Sequence, residues 1–210
     1  MSSFLKKLVI IISVVIFILF ISLLVRAWTM GMFSPVSAVT EDKRGPYYAV
    51  ILSHKGSYQG ISQKIDEVSI MLTENQIEHR VACGIYYDDP AKIAIEELRS
   101  EGGFLVTDSI QVTPPFKCLK FPARSVGVAS IEANPAIAGF KTYPALLDWI
   151  DKYKFESDTL QPTIELYHNN GIVEVELPLV LPEHIHLLSP YLPSRLMVKL
   201  NIRKSPIDDL

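Results

Sequence analysis

The chain opens with an apolar run, Leu8 to Val25, that contains no charged residue. About 20 helical residues cross the hydrocarbon core of a bilayer, so this run predicts a membrane-spanning helix. Past Gly45 the pattern changes to short apolar segments divided by polar turns. Tyr47 to His54 is rich in β-formers and predicts a strand. Lys55 to Tyr58 turns the chain, and Gly60 to Gln76 predicts a helix with Ile61, Ile65, Val68 and Leu72 along one face. Arg80 to Tyr87 predicts the next strand. Asp88-Asp89-Pro90 closes it, because proline donates no ladder bond and aspartate favours turns. Ala91 to Leu98 matches no single template. Gly103 to Asp108 predicts a further strand.

The order then repeats. Arg124 to Ile131 predicts a strand, which Asn134-Pro135 breaks. Thr142 to Tyr153 predicts a helix with Tyr143, Leu146, Leu147 and Ile150 on one face. Thr163 to Tyr167 and Ile172 to Leu179 predict strands joined by Asn169-Asn170-Gly171, and Asn-Gly between apolar runs is a hairpin signal. The segment Gly84 to Pro90 is echoed by Ile164 to Asn170. Each is a strand that carries an aromatic residue and runs into a polar turn. The expected fold class is α+β. A duplicated β-α-β-β unit forms an antiparallel sheet with helices on one side, preceded by a single transmembrane helix. A duplication of this kind places a cleft between its two copies.

The division that follows is an anchor over 1–28 with its span at 8–25, a tether over 29–45, a domain over 46–181 and an extension over 182–210. The tether reading rests on Gly31, Ser34, Pro35 and Ser37. In the extension, Leu187, Leu188, Tyr191 and Leu192 are too apolar for a free linker, and Met197 to Ile202 alternates like a strand. It is expected to pack on the domain or on a partner.

Charge sharpens this picture. The three charged residues before Ala27 are Lys6, Lys7 and Arg26, which leaves 17 basic against 23 acidic residues beyond them. An acidic domain without a basic stripe argues against direct nucleic-acid binding. Signal-peptide cores run to about 7–15 residues, so the apolar run is long for one and reads as an uncleaved anchor. Trp28 follows at interfacial level. Lys6, Lys7 and the terminal amine outweigh Arg26, which favours a domain on the non-cytoplasmic side, although Lys43 and Arg44 pull the other way.

Chemistry is sparse. Cys83 and Cys118 have no zinc spacing, and burial or a disulfide are both open to them. His184 and His186 lack a third ligand nearby, so no metal is expected, and no cofactor motif is present. Glu165 sits in a strand where burial is expected. A carboxylate there serves as a ligand counter-ion or an acid–base group, or else as an exposed strand acid or half of an internal salt bridge. Tyr86, Tyr87, Tyr143, Trp149 and Tyr167 are the aromatics near it, each also suited to core packing. Tyr86 and Tyr87 must point to opposite faces of their strand, so only one can line a given cleft.

Three features together carry a resemblance: the His54-Lys55-Gly56-Ser57-Tyr58 turn, the Gly84-Ile85-Tyr86-Tyr87-Asp88-Asp89-Pro90 run, and the Glu165-x-Tyr167 pair. Tyr47 to about Leu181 resembles a GyrI-like small-molecule-binding domain, the effector domain also found in multidrug-responsive regulators. The layout of anchor, tether and domain is similar to that of a testis-expressed ER-phagy receptor. The autophagy role is not carried over, since that receptor's tail motif has no match here. Ile131-Glu132-Ala133-Asn134-Pro135 departs from the His-x-Gly-Pro-like turn usual before the second helix, and no helix-turn-helix precedes the domain. The resemblance implies a cleft lined by Tyr86, Tyr87, Tyr143, Trp149 and Tyr167, with Glu165 at its floor facing an amphipathic or cationic small molecule. Two alternatives stand beside it, the first of them suggested by hydrolases among the relatives. One is a membrane-tethered hydrolase with Glu165 as general base and Tyr86 or Tyr143 polarising the substrate. The other is a scaffold with a degenerate cleft that recruits a protein partner.

Overall fold

The structure, a computed structural model, describes residues 3–180. The readings above for the extension over 182–210, with His184 and His186, lie outside the described residues. Helix α1 (Ser3–Thr29) is apolar all round. Its side chains find little cover among the described residues; Ile10, Phe17 and Leu23 are each about three-fifths exposed. A helix that is apolar on every face needs a non-aqueous surround, and α1 is long and apolar enough to cross a membrane.

Beyond it, among the described residues, eight strands form one antiparallel sheet with two helices on one face. The strands are β1 (Thr40–Arg44), β2 (Tyr47–Lys55), β3 (Ala82–Tyr86), β4 (Arg99–Val106), β5 (Lys117–Phe121), β6 (Arg124–Glu132), β7 (Thr163–Tyr167) and β8 (Ile172–Pro178). The helices are α2 (Ile61–Glu74) and α3 (Pro135–Tyr153). The spatial order is β1-β6-β8-β7-β3-β4-β2-β5. The expected duplication is visible in this order. The units β2-α2-β3-β4 and β6-α3-β7-β8 mirror each other about the β3–β7 pair, with β5 and β1 as outer edges.

Helix α2 packs by Val68 and Leu72 on Val50, Leu52 and Phe104. Helix α3 packs by Ala138 and Leu146 on Ala129, Ile131, Val173 and Val175. Burying such apolar side chains contributes about 1.5–3 kcal/mol each. The opposite face holds Ala49, Ile51, Cys83, Ile85, Ile164 and Leu166, all buried although no described helix covers them. The sheet curls to close over this face. Tyr47 on β2 donates its O–H to Glu176 on β8 at 2.6 Å, across four steps of the strand order. Glu176 is fully buried, and Arg124 stands 3.5 Å from its second oxygen.

Several expectations are corrected. Thr40–Arg44, read as the end of the tether, is strand β1 on the edge of β6. Helix α3 begins at Pro135 rather than Thr142: Asn134 is its N-cap, accepting from the Ala136 N–H at 3.1 Å, and Pro135 opens the first turn. Leu147 is exposed, and Thr142 takes its place on the buried face. Strand β5 has no counterpart in the sequence reading. Cys83 and Cys118 are free thiols on opposite faces of the sheet, which leaves no route to a bond between them.

Candidate functional site

The helices leave a strip of sheet between them. Helix α2 lies on β2 and β4, α3 lies on β6 and β8, and the central pair β3–β7 separates the two. Alternation along these strands decides which side chains rise into the strip. On β3 these are Ala82, Gly84 and Tyr86, and on β7 Thr163, Glu165 and Tyr167, because Gly84 registers with Gly102 beneath Ile61 and Ile65 of α2. Gly84 stands directly opposite Glu165 in the ladder.

Glu165 is buried, and each of its oxygens accepts one tyrosine proton. Tyr143, from α3, donates to Oε1 at 3.0 Å. Tyr167, two residues along the same strand, donates to Oε2 at 2.8 Å. A phenol has one proton to give, so Tyr167 spends its own on the carboxylate and accepts that of Tyr86, 2.8 Å away. The chain runs Tyr86 to Tyr167 to Glu165, with Tyr143 closing from the other side. Tyr58, in the turn before α2, packs edge-on against the Tyr86 ring at 4.8 Å and donates its O–H to the Asp88 carbonyl at 2.6 Å.

The electrostatics are those of a desolvated acid. Burial pushes the Glu165 carboxyl above its usual range, and the bonds from Tyr167 and Tyr143 pull it partly back. Burial and the Glu165 charge hold Tyr143, Tyr167 and Tyr86 above the ordinary phenol range, so all three remain proton donors. Among the described residues, no Lys, Arg or His lies within ion-pair distance of Glu165. Nor does any group of three His, Cys, Asp or Glu side chains there suit a metal ion.

The structure brings Glu165, Tyr86, Tyr143 and Tyr167 together. It places the other two aromatics elsewhere. Tyr87 points to the opposite face, where its O–H donates to Glu101 at 2.7 Å. Trp149 stacks on Phe155 at 4.6 Å and lies over Gly127 of β6, two steps in the strand order from β7. Three neighbours of the site were missed in sequence. Tyr58 belonged to the quoted turn motif but had no assigned place. Gly84 is the only residue type that leaves room for the tyrosine hydroxyls: a Cβ there would meet Tyr86 Oη at 2.7 Å and Tyr167 Oη at 2.9 Å. Gly139, whose added Cβ would sit 4.0 Å from Glu165 Oε1, lies in the two helical turns that the Asn-Pro pair concealed. His54 has a structural place: its Nε2 lies 2.8 Å from the Ser57 carbonyl, and its ring packs over Gly60.

No protein-family model matches the chain, and no curated protein matches it. Solved structures do. The C-terminal domain of EcmrR is 12% identical, over 71% of this chain and 99% of that domain, with a TM-score of 0.55. EcmrR in its complex with DNA is 10% identical, over 83% of this chain and 68% of that one, with a TM-score of 0.54. SAV2435, solved bound to tetraphenylphosphonium, is 12% identical over 72% of this chain and 99% of that one, at 0.49. At these identities the likeness is one of fold.

Proposed function

We propose that this protein is a membrane-anchored small-molecule-binding module of the GyrI-like effector-binding type, with the cleft between α2 and α3 as its site. The ligand class is an amphipathic or lipophilic cation. One observation carries the reading: Glu165 is a buried acid that no described cationic side chain neutralises. An isolated carboxylate in a low-dielectric surround either takes up a proton or attracts a cation. The faces of Tyr58, Tyr86 and Tyr143 add cation–π attraction of about 0.5–2 kcal/mol. Tyr143 and Tyr167 hold the carboxylate in place, so a ligand meets an acid already oriented. Helix α1 supplies the anchor, and Lys6 and Lys7 favour a domain on the non-cytoplasmic side.

Hydrolysis in the same cleft is the weaker reading. A general base must take a proton from its water, and the bonds that both Glu165 oxygens accept from tyrosines lower their basicity.

The test is ligand-induced stabilisation of the full chain in detergent, with lipophilic quaternary ammonium and phosphonium cations set against neutral aromatics. A cation at 100 times its dissociation constant adds about 2.7 kcal/mol of stability. The expected result is stabilisation by cations in the native protein and none in Glu165→Gln. Equal stabilisation of both proteins would remove Glu165 from the site. No stabilisation by any compound would favour a scaffold. Product release from a bound ligand would favour the hydrolase.

A further inference from the structure

The segment after α1 is docked on the domain rather than free. Gly31 is buried, with φ +81°, and lies against the β6–α3 junction so closely that a Cβ would meet Ala133 at 2.6 Å. The Asn134 N–H donates to the Met30 carbonyl at 2.9 Å. The Lys141 ammonium donates to the Met32 carbonyl at 3.1 Å and to that of Ser34. Ser37 and Ser130 exchange two bonds, at 2.8 and 2.9 Å. The C-terminal end of the apolar helix is therefore fixed at the first turns of α3.

Those turns carry an unexplained side chain. Phe140 is 77% exposed, next in sequence to the lysine that grips Met32 and Ser34. Trp28, Met32 and Phe33, at the end of α1 and just beyond it, are exposed as well, Trp28 by 72% and Phe33 by 63%. Large aromatics gathered where an apolar helix leaves its membrane have the composition of an interfacial belt. Pro144 cannot supply the helical bond to the Phe140 carbonyl, so this face also presents a polar group. That combination suits the hydrated headgroup layer and does not suit the hydrocarbon core.

We infer that Trp28, Met32, Phe33 and Phe140 form a membrane seat, which holds the first turns of α3 against the headgroup layer of the bilayer that α1 crosses. Continuity with α1 identifies the occupant as lipid. The excess of acidic residues beyond Ala27 makes the seat an apolar one that does not depend on anionic headgroups. The seat fixes the attitude of the domain towards the membrane, whatever occupies the cleft. Helix α3 has 19 residues, about 28 Å of helix, and Leu160, beyond its end and 90% exposed, is the comparison site farthest from the proposed seat along that helix.

The experiment uses the full chain in phosphatidylcholine vesicles. Cys118 is replaced by serine; Cys83 is fully buried, with its thiol pushed up to about 12, and stays unreactive. An environment-sensitive fluorophore is attached to Phe140→Cys, Phe33→Cys or Leu160→Cys, all exposed positions that the fold does not depend on. The expected result is at least twofold stronger quenching by shallow spin-labelled lipids at 140 and 33 than at 160, with iodide quenching in the reverse order. Site 140 as open to iodide as site 160 would overturn the seat. So would shielding from iodide without lipid quenching, which would mean cover by protein, a second copy included. Failure of the chain to float with the vesicles would overturn the anchor and the seat together, whereas flotation with site 140 in water would overturn the seat alone.

Discussion

The hydroxyls of Tyr86 and Tyr167 lie 2.8 Å apart, across the axis that relates the two halves of the domain. The register makes them counterparts. Ala82 faces Tyr167 and Tyr86 faces Thr163, so each tyrosine holds the same place in its own strand. Gly84 and Glu165 are the corresponding central pair. One half has given up its side chain, and the other has put an acid there. The tyrosines lean into the space over Gly84, and one of them holds the acid. The asymmetry of a duplicated unit thus creates the tyrosine–carboxylate cluster.

Gly84→Ala should break this arrangement. The added carbon has no free space, with two phenol oxygens inside 3 Å. At least one tyrosine must move, which removes a proton donor from the Glu165 chain. Overpacking of this kind costs about 1–3 kcal/mol, read as a lower urea midpoint with an unchanged slope. Cation binding should fall with it. An alanine variant that keeps both its stability and its ligand would show that the hydroxyls do not depend on the glycine.

Glu165 gives the protein a pH dependence of definite sign. Its folded-state carboxyl titrates above the ordinary range, chiefly because it is buried. The folded state therefore holds this proton after the unfolded state has released it. The contribution is fully present below the unfolded value, about 4.3, and is lost as pH rises through the folded one. Glu165→Gln cannot ionise. Its stability advantage over the native protein should grow with pH across that window, as read by denaturant midpoints at a series of pH values. Cation affinity should run the other way, rising up to about tenfold per pH unit until the carboxyl is ionised. Affinity that is flat across this window would mean that the ligand does not meet the carboxylate.

How much of this was legible follows from what decides each element. Helix α2 follows from its apolar spacing, and the β7–β8 hairpin from Asn169-Asn170-Gly171, where Gly171 has φ +82°. Glu165 stood out because an acid interrupts a strand of β-formers. Alternation forecast that Tyr86 and Tyr87 would part company, and the structure puts Tyr86 on the face of the acid, bonded to Tyr167, and Tyr87 on the other. Other features depend on distant partners. Thr40-Glu41-Asp42-Lys43-Arg44 has no apolar residue. It is a strand because β6 offers it an open edge and Glu174 draws in Arg44 at 3.2 Å. Strand β5 is short and flanked by prolines, and pairing with β2 decides its state. The first turns of α3 were hidden because Asn-Pro serves both as a breaker and as a cap with its first helical residue. Trp149 shares helix α3 with Tyr143 but not its direction. Six positions set it about 120° around the helix from that residue, on the side that faces β6.

Tyr47→Phe should weaken the closure of the sheet. The phenol gives Glu176 Oε1 its donor at 2.6 Å, and the carboxylate is fully buried. Burial pushes Glu176 upward, and the Tyr47 bond leads the effects that pull it back. Removing a hydrogen bond to a buried charge costs about 1.5–3 kcal/mol. The loss should shrink in acid, where a protonated Glu176 no longer needs that donor as strongly. Arg124→Met should cost more, about 3–5 kcal/mol, because it strips the acid of its nearest cation. A phenylalanine variant as stable as the native protein at neutral pH would mean that the curl is held by packing alone.

Gly31→Val should uncouple helix α1 from α3. The residue has a positive φ, which costs a β-branched side chain about 1–2 kcal/mol before any contact is counted. Space is the larger obstacle. A Cβ at Gly31 would lie 2.6 Å from both Cα and Cβ of Ala133, and 2.7 Å from the Glu132 carbonyl oxygen. Trimming Ala133 to glycine would leave two of these three atoms in place, so that change should not rescue the variant. The backbone near residue 31 must instead lift away, which breaks the bond from the Asn134 N–H to the Met30 carbonyl. Hydrogen exchange reads this directly. The amides of Asn134, Ser37 and Ser130 should exchange faster in the variant, while those of β3 and β4, in the other half, keep their protection. Uniformly faster exchange would mean global destabilisation, and unchanged exchange at Asn134 would show that the junction does not depend on the close approach of Gly31.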